Sequence, residues 1–183
     1  VMLATGRALM IGDKVGVNPI RGMELIQGAA DAGYAEAHFE LSRIHSKGDP
    51  KYIDIERANR HRRIAAEKGF PEAMEELGLM LRPRRIEEAI KWLRSAAEME
   101  QAGAMFALGE LAYEGNGLPQ NKLDALRWFR AAARLGHKAA ASRAAHILFN
   151  GDGVLANKVE AQQWADLAGE RLGGFWSFMA KKR

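Results

Sequence analysis

Small and large apolar side chains recur along this chain with a period close to 36 residues. Each copy has a small residue, a larger side chain three residues later, a small pair at seven and eight, and in most copies Gly at eleven. The clearest copy is Ala125, Trp128, Ala132-Ala133 and Gly136. The copies start at residues 22, 58, 89, 125 and 161, so the intervals are 36, 31, 36 and 36. With a second apolar segment in the same phase, this pattern predicts five repeats of two helices each, a first helix and a second helix.

Residues that begin and end helices keep the same phase. An Asn or Asp lies four residues before the small residue that starts each copy, except in the third copy. At this position its side chain can accept hydrogen bonds from the free amides of the first helical turn. Glycines stand where the second helix must end, because Gly adopts the left-handed conformation at little cost. The expected caps are Asn18, Asp54, Asn121 and Asn157, and the expected terminal glycines are Gly33, Gly69 and Gly136.

Two further features qualify this pattern. The third repeat lacks both the Gly-containing loop and the cap, so Pro83 is expected to break the helix there. Elsewhere, small residues such as Gly109 are expected to let helices approach closely, with Trp128 and Leu108 filling the gaps between them.

Composition narrows the class without naming a function. A hydrophobic fraction of 48% and a charged fraction of 27% are typical of globular domains. The absence of Cys excludes disulfides and thiolate zinc sites. No run of about eighteen apolar residues predicts a membrane helix. No signal peptide is visible, but a chain that starts at Val1 reads as processed or cut, so the cytoplasm and the periplasm or exterior both stay open.

The combined motifs resemble the Sel-one-like repeat family, which is related to the tetratricopeptide repeats. The best match is the fourth repeat, with Ala104-Met-Phe-Ala-Leu108-Gly109, Tyr113, Gly115-Asn-Gly117-Leu-Pro119 and Ala125-Leu-Arg-Trp128. Ala112 departs from the family, which usually has Tyr there. The resemblance covers residues 1 to about 172. It implies an all-α fold, a right-handed α-α superhelix (solenoid) of about five helix pairs.

We therefore expect one domain over residues 1–183, with repeats at about 1–36, 37–72, 73–103, 104–139 and 140–172. Residues 173–183 are aromatic and then basic, and we expect a capping segment there in preference to a tail that docks on a partner or a membrane. The resemblance also implies a non-catalytic scaffold or adaptor, as in bacterial envelope, secretion or signalling systems. The expected partner is a protein or peptide, with no cofactor and no small-molecule substrate, and a monomer is favoured.

In such a superhelix the first helices line the concave face. By analogy with the tetratricopeptide relatives, three positions in each first helix should face a bound segment. They are Phe39, Arg43, Ser46, Glu75, Leu79, Arg82, Phe106, Glu110, Tyr113, His146, Phe149 and Asn150. The three Phe residues could equally belong to the core between repeats, since aromatic side chains at helical spacing are often buried.

Other candidate sites are weaker. Two Arg clusters, one from Arg57 to Arg63 and one from Arg82 to Arg85, could bind an acidic polymer or nucleic acid. Interleaved Glu residues and the lack of stacking aromatics favour a solvated outer wall instead. His38 and His45 share a helix face, but their spacing is too long for a two-His chelate, and His61 takes a Trp position of the core. The sequence shows no catalytic set and no metal site.

Overall fold

The computed structural model describes residues 1–11 and 16–170, and this part of the chain is built from ten α-helices and one short 3₁₀ helix. The first helices of the five pairs are α1 (Met2–Ile11), α3 (Ala35–Lys47), α5 (Pro71–Leu81), α7 (Ala102–Glu114) and α9 (Lys138–Asn150). The second helices are α2 (Pro19–Asp31), α4 (Ile55–Glu67), α6 (Ile86–Glu98), α8 (Lys122–Arg134) and α10 (Lys158–Ala168), and the 3₁₀ helix η1 is Pro50–Tyr52. The expected all-α fold with two helices in each repeat is confirmed. The predicted capping segment lies outside the described residues.

The chain divides into two compact units, an N-terminal unit at residues 1–77 and a C-terminal unit from residue 78 onwards. In the N-terminal unit, α2 packs on both α1 and α3, and Ile26, Ala29 and Leu41 form its apolar centre. In the C-terminal unit, α8 lies between α7 and α9, and its largest buried side chain is Phe129. Stripes of buried Ala on these helices let the backbones pack closely, which explains the many small residues at fixed phase.

The four predicted caps are confirmed by side-chain hydrogen bonds of one kind. The side-chain oxygens of Asn18, Asp54, Asn121 and Asn157 each accept from a backbone N–H in the first turn of the following helix. In the third repeat Arg85 stands at this position and its side chain makes no capping bond. The break in that repeat is a turn over residues 82–84 that contains Pro83, as expected.

The second helices end in the left-handed backbone conformation. Gly33, Gly69 and Gly136 have φ angles of +90°, +86° and +87°. The third repeat has Glu100 at the equivalent point, with φ of +60°. A side chain with a Cβ is disfavoured there by roughly 1–2 kcal/mol, so the repeat geometry imposes local strain on this residue.

Large side chains of the second helices pack against glycines of the first helices. A Cβ at Gly6 would lie 2.8 Å from Ile26, and one at Gly109 would lie 2.6 Å from Phe129. The residue opposite Gly109 is therefore Phe129, whereas Trp128, which we expected to fill this gap, is only half-buried. The expectation for Leu108 is confirmed, since that side chain is buried.

The second repeat replaces this apolar contact with polar groups. Ser42 stands in place of the glycine, and Arg62 occupies the position of Ile26 and Phe129. Arg62 is 9% exposed and donates to Glu76 and Asn59. Its burial contradicts our expectation that this Arg belongs to a solvated outer wall.

Candidate functional site

In the C-terminal unit, the first helices α7 and α9 are joined by a bidentate ion pair. Nε of Arg143 donates to Oε1 of Glu110 at 2.8 Å, and Nη2 donates to Oε2 at 2.8 Å. The ion pair raises the pKa of Arg143, mainly through the hydrogen bond to Glu110. A bidentate pair fixes both side chains in one plane, so their orientation is well defined.

Tyr113 lies beside this pair and extends the network to the turn after α9. Its hydroxyl donates to Oδ2 of Asp152 at 2.5 Å, and Lys122 donates to the other oxygen of Asp152. Hydrogen bonds from Lys122 and Tyr113 lower the pKa of Asp152, and the same carboxylate raises the pKa of Tyr113. The Tyr113 ring also has two cationic neighbours, with Lys122 Nζ 5.3 Å and Arg143 Cζ 5.2 Å from its centroid.

The structure brings several of the expected site residues into this one cluster. Glu110 and Tyr113 come from α7, while His146 and Asn150 come from α9, where the Asn150 amide lies 3.3 Å from the His146 ring. Burial and the neighbouring Arg143 lower the pKa of His146. We call the set of Glu110, Tyr113, Arg143, His146 and Asp152 the α7–α9 cluster.

The two Phe residues expected in this unit lie elsewhere. Phe106 is half-buried and stacks on His137 with ring centroids 4.6 Å apart. Phe149 packs against the apolar core, with Lys158 of α10 over its ring. Their rings are therefore engaged mainly by their own repeats and are only partly open to a partner.

Sequence reasoning missed Arg143, Asp152 and Lys122. Arg143 stands one residue before the position equivalent to Leu41, and in the second repeat that place is held by Glu40. In the N-terminal unit, Arg7 of α1 bonds Glu40 of α3 at 2.5 Å. This is the same contact between consecutive first helices as Glu110–Arg143, with the charges exchanged. A comparison of charges at these two repeat positions would have revealed the pair.

The N-terminal unit carries a shallow hollow of about 610 Å³ on the side of α1 and α3. Met10 and Ile44 line it, and Arg43 and Lys47 stand at its rim. The side chain of Arg43 is 60% exposed and lies 3.8 Å from Glu40, so it is accessible to a partner. Ser46 is half-buried and its hydroxyl donates to the backbone carbonyl of Arg43.

The remaining expected contacts are distributed unevenly. Phe39 is 8% exposed and packs on Phe70 with centroids 5.0 Å apart, so it belongs to the core of its unit. Its assignment to the binding face is corrected accordingly, because a partner cannot reach a ring that is already covered. Glu75 and Arg82 are half-buried, and Leu79 is exposed.

Several residues of the two Arg clusters are engaged in local ion pairs. In the N-terminal unit, Arg57 pairs with Asp54 at 3.1 Å and Arg60 with Glu56 at 3.7 Å. In the C-terminal unit, Arg85 pairs with Glu88 at 3.0 Å. These pairs reduce the positive charge that either cluster could offer to a polyanion.

Three imidazoles meet between α3 and α4. Nδ1 of His38 and Nδ1 of His61 lie 3.0 Å apart, and the His45 and His61 rings stack with centroids 6.0 Å apart. Nδ1 of His45 donates to the carbonyl of Tyr52 at 2.8 Å. Burial, followed by the neighbouring His residues, lowers the pKa of His61 to about 4. Within residues 1–11 and 16–170, no three His or carboxylate side chains are arranged to hold a metal ion.

No helix in the described part of the chain is both long and apolar enough to cross a membrane. The described residues form helix pairs whose first helices carry charged and aromatic side chains. The chain is thus a helix-pair repeat protein.

Comparison with known proteins defines the class more closely. The Sel1 repeat family matches residues 1–34, 35–70, 71–100, 102–137 and 138–171, so the chain belongs to that family. Members of this family generally act as protein-interaction scaffolds and are typically non-catalytic.

Two solved structures share the fold. A Sel1 repeat protein from Oxalobacter formigenes is 25% identical, with a TM-score of 0.82 over 98% of this chain and 75% of that one. A protective antigen of uropathogenic Escherichia coli with an SLR fold is 26% identical, with a TM-score of 0.81 over 92% of this chain.

A curated relative matches over a shorter length. The uncharacterized protein NMB1327 of Neisseria meningitidis serogroup B is 30% identical over 97 residues. The match covers 21% of that protein, and the chain covers 37% of the Escherichia coli antigen.

Proposed function

We propose that this chain is a non-catalytic interaction module that binds peptide or protein segments on the first helices of each compact unit. The α7–α9 cluster is the main contact in the C-terminal unit, and Arg43 with the adjoining hollow is the main contact in the N-terminal unit. The observation that carries the proposal is the ordered network of Glu110, Arg143, Tyr113 and Asp152 on side chains that remain partly exposed.

The physical argument rests on residue type and on order. Tyr and Arg dominate the energetics of protein interfaces because they combine large apolar area with directed hydrogen bonds. Side chains already held by neighbours lose less conformational entropy when a partner binds. In the α7–α9 cluster both conditions hold, since Tyr113 is fixed by Asp152 and Arg143 by Glu110.

The proposal can be tested by affinity capture with quantitative mass spectrometry, comparing wild type with the double variant Arg43→Glu, Tyr113→Ala. Arg134→Glu is the matched control, because Arg134 is exposed on a second helix of the C-terminal unit. We expect specific partners to be lost from the double variant and retained by the control. Identical partner sets for wild type and double variant would refute the binding face.

A further inference from the structure

A second surface lies in the C-terminal unit, in a hollow of about 680 Å³ beside the second helices α6 and α8. Leu118, Pro119 and the half-buried ring of Trp128 provide an apolar lining. Arg94 of α6 stands at the edge. This hollow is separate from the α7–α9 cluster, and the proposed function does not use it.

The next repeat shows which side chain can bind between an Arg and a Trp in this arrangement. Thirty-six residues further on, Arg130, Glu160 and Trp164 occupy the positions of Arg94, Asp124 and Trp128. There the Trp164 indole N–H donates to Oε1 of Glu160 at 3.0 Å, and Nη2 of Arg130 lies 2.6 Å from the same oxygen. One carboxylate therefore joins the guanidinium of one second helix to the indole of the next.

In the earlier repeat the equivalent carboxylate, that of Asp124, does not join the two second helices. Asp124 is one methylene shorter than Glu160, and its oxygens bond instead to the Asn121 amide at 2.6 Å and to Arg127 at 2.8 Å. Among the residues that the structure describes, no acceptor is bonded to the Trp128 indole N–H or to the Arg94 guanidinium. The two donors of the repeat are present, and their acceptor is not.

We propose that the α6–α8 hollow binds an acidic segment of a partner protein, whose Glu side chain takes the place that Glu160 holds in the next repeat. The carboxylate accepts from the Trp128 indole and pairs with Arg94, and an adjacent apolar side chain packs on Leu118 and Pro119. Charge-assisted hydrogen bonds are roughly twice as strong as neutral ones. Charge complementarity thus selects an acidic residue with an apolar neighbour.

The test uses the whole chain and two tetrapeptides, Ac-Ala-Leu-Glu-Ala-NH₂ and its Gln counterpart, titrated while indole N–H resonances are followed by NMR. The Trp128 resonance is assigned by its absence in Trp128→Phe. We expect the Glu peptide to shift this resonance saturably and the Gln peptide to bind about tenfold more weakly, because it lacks the charge-assisted contacts. No shift, or an equal response to both peptides, would overturn the proposal.

Two further variants sharpen the result. Arg94→Gln should weaken the Glu peptide about tenfold and leave the Gln peptide unchanged. Asp124→Glu restores the carboxylate of the next repeat, so it should close the hollow on itself and abolish the response of Trp128 to the peptide. Binding that survives Asp124→Glu unchanged would contradict the assigned position of the carboxylate. None of these residues belongs to the α7–α9 cluster, so this outcome is independent of the partner-capture experiment above.

Discussion

The contact between Gly109 and Phe129 gives the sharpest test of how the repeats pack. A methyl group at Gly109 would lie 2.6 Å from Cε1, 2.8 Å from Cδ1 and 3.1 Å from Cζ of Phe129. Favourable carbon contacts begin near 3.5 Å, so the ring would have to move by about 1 Å. Phe129 is 0% exposed and packed in the core of its unit, so such a movement would displace its neighbours.

The magnitude follows from two opposing effects. Overpacking of a core by one methyl group costs about 1–3 kcal/mol. Replacement of Gly by Ala within a helix gains about 1 kcal/mol. Gly109→Ala should therefore lower the free energy of unfolding by about 1 kcal/mol, measured by urea unfolding with circular dichroism.

The contribution of the Gly109–Phe129 contact can be measured separately with a Phe129→Val background and a control glycine. Val at position 129 lacks all three ring atoms that the methyl group meets, so Gly109→Ala should become neutral or stabilising in Phe129→Val. Gly28→Ala is the control, because its methyl group would meet only the terminal methyl of Met2 and should stabilise α2 by about 0.5–1 kcal/mol. If Gly109→Ala costs the same with Phe and with Val at position 129, the contact does not explain the glycine.

Three further predictions concern stability. Glu100→Gly should raise the free energy of unfolding by about 1 kcal/mol by relieving a φ of +60°, and an unchanged or lower urea midpoint would contradict this. Acidification should destabilise the α3–α4 pair: the unfolded chain binds a proton on His61 near pH 6.5 and the folded chain only near pH 4, so stability falls over that interval. Unfolding between pH 7 and 4.5 should show a smaller loss in His61→Phe than in wild type. Asn121→Ala should cost about 1 kcal/mol through loss of the α8 cap, while Asn121→Ser should retain most of this stability because Ser is also a good cap; equal losses from the two variants would exclude the capping role.

The sequence alone was sufficient for the local features. The period, the two helices in each repeat, the four Asn and Asp caps and the terminal glycines were all predictable. Each depends on hydrogen bonds or backbone angles within about four residues, and these are determined by the local residue types. The third repeat has Arg85 in place of a cap and Glu100 in place of Gly. Its structure differs from the other repeats at these same two positions.

Tertiary structure decided which side chains meet between repeats. Trp128 has the more conspicuous position in the pattern, but the rotation of α8 turns Phe129 towards Gly109 instead. The pairing of Glu110 with Arg143 spans 33 positions. Glu160 bonds the Trp164 indole, whereas Asp124, which is one methylene shorter, bonds Arg127 instead. Such contacts depend on helix rotation and on reach across a gap, and both are determined by packing over the whole unit, so a residue pattern read along the chain did not contain them.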